Sequence, residues 1–170
     1  QNLSKYLIPL CLPIGKYNIK IFGNQPWSVP QYLGAPTDDM INDIFCSAKI
    51  CPNVSEPHAN EFGFEVNERV FKLAATKSFC LSDEIASLTE DVFTNEEMPV
   101  AGNPEEFMYS IDYFLEEEPE YRKDKAEQCY NTVMAGHTYC HRVSNLLSNL
   151  NMQGEADRAI QLLEEQLCHQ

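Results

Sequence analysis

The chain has 170 residues, 44% of them hydrophobic, which is enough to bury one sizeable core or two small ones without cross-links. Its formal net charge is −14, and residues 82–127 carry fifteen Asp or Glu against three Lys or Arg, a net −12. A surface so charged repels phosphate backbones and anionic lipid, which excludes nucleic-acid and membrane binding by bulk electrostatics.

Residues 1–36 hold Pro9, Pro13, Pro26, Pro30 and Pro36, so no long helix fits there. The alternation Tyr17, Ile19, Ile21 allows one short strand in an otherwise extended arm, with Trp27 as an apolar anchor. From Pro36 the period turns helical. Met40, Ile41, Ile44 and Phe45 predict a helix to about residue 48, with Asp38 and Asp39 in its first turn. Phe62, Val66, Val70, Leu73 and Lys77 predict a longer helix ending near Cys80, and Ile85, Leu88 and Val92 a third ending near Phe93.

Residues 94–103, with Pro99 and Gly102, read as a linker. Pro104 then opens a helix whose apolar face is Phe107, Ile111, Phe114 and Leu115. Pro119 breaks it, and a fifth helix is predicted from Glu120 to Ala135, closed by Gly136. His137 or Thr138 opens a sixth whose face is Tyr139, Val143, Leu146, Leu147 and Leu150. Beyond Gly154 a seventh carries Ala156, Ala159, Ile160, Leu163 and Leu167. The expected fold is therefore mainly all-α, a disulfide-stapled bundle of six or seven helices. It divides into a proline-rich arm (1–36), a first helical subdomain (37–93), a linker (94–103) and a second subdomain (104–170), with one compact domain overall as the alternative.

The staples follow from seven cysteines, none in a C-x2-C pair of the zinc or thioredoxin kind. Cys46, Cys51, Cys80, Cys129, Cys140 and Cys168 are the disulfide candidates, leaving Cys11 in the arm as the unpaired member. A loop bridge from Cys46 to Cys51 and a bridge from Cys46 to Cys80 are both open. Cys129 pairs locally with Cys140 if the chain reverses at Gly136, and otherwise with Cys168 or Cys80. Cysteines in this number suit an oxidising compartment, and Asn2-Leu3-Ser4 and Asn53-Val54-Ser55 add two glycosylation acceptor patterns at Asn2 and Asn53. The start at Gln1 reads as a mature chain freed of a signal peptide, so the expected location is secreted.

No catalytic pattern is present: no nucleophile stands in a local pattern with a base, no glycine-rich phosphate loop occurs, and no cofactor is implied. His137 and His141 have the i, i+4 spacing of two metal ligands on one helix face, without the intervening Glu of a zinc protease. Cys129, Tyr130, Tyr139 and Cys140 resemble the cysteine-tyrosine-cysteine motif of the bicycle proteins of aphid salivary glands. That resemblance implies a saliva-delivered effector with no enzymatic site. The expected function is a secreted, disulfide-stabilised binding protein and not an enzyme, acting on an unidentified protein partner, basic or host-derived, through its acidic face. A helical carrier of a small apolar ligand is the second reading, and a metal-dependent enzyme using the His137/His141 pair the third.

Overall fold

A computed structural model describes residues 2–168, of which Asn2 and Leu3 are described by their backbone alone. Among the described residues the chain forms ten α-helices and a three-stranded sheet. It divides into two compact units, Gln1–Tyr130 and Asn131–Gln170.

The first unit opens with two short helices, α1 (Asn2–Tyr6) and α2 (Ile8–Cys11), where the sequence predicts an extended arm. The rest of the arm is irregular, with one bridge between Ile21 and Tyr32 and no regular strand at 17–21. It is pinned from a distance: Tyr17 donates its hydroxyl to Asp112 at 2.6 Å, and Lys16 pairs with the same carboxylate at 3.0 Å. Trp27 is half-buried.

A 3₁₀ turn (Asp38–Met40) leads into α3 (Ile41–Ser47), close to the predicted helix. Then comes β1 (Cys51–Asn53), followed by α4 (Pro57–Phe62), α5 (Glu68–Ala75) and β2 (Cys80–Asp83). The single long helix expected across residues 62–80 is thus two helices and a strand. Gly63 stops α4 with a left-handed φ of 75°, Asn67 restarts the chain in extended geometry, and Lys77 (φ 53°) ends the excursion after α5. Next come α6 (Ala86–Asp91), β3 (Val100–Ala101) and α7 (Pro104–Glu116). The stretch expected as a linker holds β3 and the fully buried Met98.

All three strands are parallel in the order β1-β2-β3, with Cys51 opposite Cys80 and Ser82 opposite Val100. The fold is therefore α/β, and the all-α expectation fails at these strands. Their brevity hides them: every residue of β2 is buried, so it shows no alternation, and four residues are too few to tell strand from helix by period. Parallel strands need crossovers, and the helical signal between them masks the sheet.

The core gathers Tyr6, Leu10, Val54, Phe79, Leu81, Ala101, Phe107, Ile111 and Phe114. Phe107, Ile111 and Phe114 recur at i, i+4, i+7 along α7 and put one face of it on this core. Tyr6 meets Phe107 edge-on at 5.3 Å, and Phe79 meets Phe114 at 5.0 Å. Past α7, α8 (Pro119–Gly136) begins beside Arg122, whose buried guanidinium donates to the carbonyls of Phe114 and Glu117 at 2.6 Å each. A cation thereby closes the end of α7 where carbonyls lack helical partners.

The second unit pairs α9 (Tyr139–Asn149) with α10 (Gln153–Leu167). Thr138 caps α9 by accepting from the backbone N–H of His141, and Ala156, Ala159 and Leu163 form the buried stripe of α10. On the apolar face of α9, Tyr139, Val143, Leu146 and Leu150 are all exposed.

All seven cysteines are free thiols, so no staple holds the fold. The hydrophobic cluster and the parallel sheet replace the expected disulfide framework, as a chain of this length can bury a core unaided. Among the described residues no helix is long and apolar enough to cross a membrane.

Candidate functional site

In an open parallel sheet the carboxyl ends of the strands face a crevice, because every following helix starts there and leaves its first N–H groups unpaired. Here α4, α6 and α7 begin just beyond β1, β2 and β3, and α5 runs back along β1 and β2 from the same end. A hydrogen bond from Ser87 to the Gly63 carbonyl, 2.8 Å, joins the α4–α5 connection to the first turn of α6.

At this end the backbone delivers polar side chains from each strand. Asp83 closes β2 and is fully buried. Its two carboxylate oxygens accept from the Ser55 N–H at 3.0 and 3.1 Å, from the Ser55 hydroxyl at 3.0 Å and from the Asn60 amide at 3.1 Å. The same Asn60 amide donates to the Glu84 carbonyl at 3.0 Å. Asp83 thus ties the segment after β1 and the helix α4 to the end of β2 through charge-assisted bonds. Beside it, Asn53 donates to the Ser82 hydroxyl at 2.8 Å.

Two buried acceptors at this end carry no hydrogen bond, Asn53 Oδ1 and Asn67 Oδ1. Asn67 occupies the N-cap of α5 without capping it by its side chain, and Arg69 stands in that helix's first turn. Such unpaired acceptors are uncommon in folded proteins.

At β3 the helix start is closed differently. Asn103 accepts from the Glu106 N–H, and the Glu106 carboxylate reaches back to the Gly102 N–H at 2.9 Å, a reciprocal cap. A Cβ at Gly102 would lie 3.1 Å from a Glu84 oxygen and 3.4 Å from a Glu106 oxygen, so two exposed carboxylates converge over a bare backbone. Tyr6 lies within reach of this charge. Burial first, then Asp83 and Glu106, push its phenol above the ordinary value. The chemistry on offer is mainly acceptance: exposed carboxylates that bind hydroxyls, with a helix start that binds anions at α5.

The residues singled out by sequence fall elsewhere or take other roles. Asn53, a predicted glycan acceptor, is 1% exposed and bonded to Ser82, so the folded chain has no room for a glycan on it. Asn2 opens α1, and its side chain lies outside the described residues, as does Gln1. Cys51 and Cys80 face each other on β1 and β2, Cys46 is exposed on α3, and Cys129 donates to the Glu97 carbonyl at 3.4 Å. Cys140 is half-buried, Cys168 exposed, and Cys11 buried with its thiol donating to the Leu7 carbonyl.

His137 and His141 do not share a helix, because α8 ends at Gly136 and Thr138 restarts the chain. His141 Nδ1 is 2.8 Å from the Thr138 hydroxyl, and burial, then Arg142 and His141, lower the His137 pKa. Among the described residues no cluster of His, Cys, Asp or Glu is placed to hold a metal. The polar groups at the carboxyl ends were missed by sequence reasoning. Their signal is a pair of short apolar runs, each ending in polar residues, Asn53-Val54-Ser55 and Ser82-Asp83-Glu84, which a parallel sheet would bring side by side.

No curated protein and no solved structure matches the chain. One family model does, described as glycosyl transferase-like, over residues 9–148, a span that takes in the whole sheet and its helices. This overturns the expectation of a non-enzymatic, disulfide-stabilised effector, which rested on staples that are absent and on catalytic motifs too local to register a site assembled from three strand ends. The chain belongs to the glycosyl transferase-like family.

Proposed function

We propose that the chain takes part in transfer of a sugar from a phosphate-activated donor to a hydroxyl-bearing acceptor, with the donor seated at the carboxyl ends of β1, β2 and β3. The carrying observation is the family match over the residues that build this sheet, and the polar groups at its carboxyl end support it. Sugars and ribose present rows of hydroxyls, which the exposed carboxylates of Glu84 and Glu106 accept. The donor phosphates lie toward the start of α5, where N–H groups and Arg69 offset the acidic surroundings. Transfer breaks the bond between the anomeric carbon and the phosphate oxygen and forms one to the acceptor oxygen, whose proton passes to a base; Glu84 is the exposed carboxylate assigned to orient that hydroxyl.

The test is a panel of nucleoside-diphosphate sugars and sugar phosphates, read by calorimetric binding and by release of the leaving group. Donor binding is expected, with Arg69→Ala raising KM without loss of stability and Glu84→Gln lowering kcat/KM by about tenfold or more. Absence of binding and turnover across the panel refutes the reading, as does full activity in both variants.

A further inference from the structure

We propose that Cys46 and Cys51 form a reversible thiol pair that exchanges with small-molecule disulfides, Cys46 as the entry thiol and Cys51 as the one that resolves it. Cys46 sits on the last turn of α3, exposed, its sulfur 3.4 Å from the Thr76 carbonyl. Cys51 opens β1 and is buried, and its thiol donates to the Phe45 carbonyl at 3.6 Å. That carbonyl belongs to the peptide joining Phe45 to Cys46. The Cys51 sulfur therefore lies against the backbone of Cys46, within about 6.5 Å of its Cα. This places a bridge within reach of the short turn at 48–50.

Cys80 stands opposite Cys51 on the neighbouring strand, completing a line of three thiols from surface to core. Only the first is open to a soluble reagent. The Cys46 thiolate attacks the small disulfide, forming a mixed disulfide and releasing one thiolate. Cys51 then loses its proton, attacks the Cys46 sulfur and expels the second thiol. Two protein thiols are oxidised, and the disulfide is reduced to two thiols. Burial, with Cys46 adding to it, pushes the Cys51 thiol up to about 12. Resolution is therefore slow near neutrality and speeds up about tenfold per pH unit below that value. This site stands apart from the sugar-transfer reading and survives or fails without it.

The experiment treats the reduced full chain with oxidised glutathione between about pH 7 and pH 9, quenches by alkylation and maps peptides by mass spectrometry. The expected course is a glutathione adduct on Cys46 that converts to a Cys46–Cys51 linked peptide, about tenfold faster for each added pH unit. Cys51→Ala should trap the adduct on Cys46, and Cys46→Ser should leave Cys51 unmodified. The proposal is overturned by a stable Cys46 adduct in the unsubstituted chain at the highest pH, by a bridge between Cys51 and Cys80, by Cys51 reacting in Cys46→Ser, or by adducts confined to Cys140 and Cys168.

Discussion

Replacing Asp83 tests whether the buried carboxylate organises the end of the sheet. Its oxygens take the N–H and hydroxyl of Ser55, a residue 3% exposed, together with the Asn60 amide. Asp83→Ala deprives two buried Ser55 donors of this acceptor, at about 1–3 kcal/mol each, and opens a small void; relief of the buried charge offsets part of it. The net expectation is a loss of about 2–4 kcal/mol, a large share of the ~5–15 kcal/mol that holds a typical domain.

Asp83→Asn is milder, about 1–2 kcal/mol, because one oxygen still serves Ser55 while the new amide opposes the Asn60 amide. Adding Asn60→Asp to it reverses donor and acceptor at that contact but gives up the Asn60 bond to the Glu84 carbonyl, so it should recover only part of the loss. Urea unfolding gives these values from midpoint shifts at unchanged slope. An Asp83→Ala protein within about 0.5 kcal/mol of the parent, or a double variant worse than the sum of its parts, would refute the account.

Two further substitutions probe how the first unit is assembled. Asp112→Asn removes the charge and one of the two oxygens that Tyr17 and Lys16 engage, and should loosen residues 12–20 in hydrogen exchange at a cost of about 0.5–1 kcal/mol, since the pair is largely exposed. Tyr17 and then Lys16 hold the Asp112 carboxyl below its usual range, so its contribution is present above about pH 4 and fades as pH falls through the lowered value. Parent and variant should converge in acid, and an undiminished difference there would count against the pairing. Arg122→Met keeps the packed stem but strips the donors from the Phe114 and Glu117 carbonyls. A loss of about 1.5–3 kcal/mol in thermal or urea unfolding is expected, and an unchanged midpoint would show that solvent serves those carbonyls as well.

The helices from α7 onward were legible because their ends are written in residue types with fixed backbone demands. Pro104 follows a capping Asn103, Gly136 ends α8 and Thr138 caps α9. The sheet was not legible. Phe62, Val66, Val70 and Leu73 keep helical spacing across Gly63 and Asn67, where the chain breaks, so periodicity continued through a gap that only the left-handed φ at Gly63 reveals. β1 contains Pro52 and β3 has two residues, too few for any period to register. The stripe on α9 was legible as an apolar face, yet spacing identifies a face without saying whether anything covers it, and most of this one is exposed. At the site, Asn53 and Asp83 lie 30 positions apart in sequence and meet only through the pairing of β1 with β2.

That pairing has a competitor. Slipping β1 by one residue against β2 would still let the backbones hydrogen-bond, and both strands are buried enough that apolar burial alone penalises the slip weakly. The Asp83 carboxylate penalises it strongly, because it meets the Ser55 donors only in the register that sets Cys51 opposite Cys80. In any other alignment a negative charge would be sealed in the core with its donors turned away. The same carboxylate that shapes the crevice therefore also discriminates against misfolded alignments of a sheet too short to align itself.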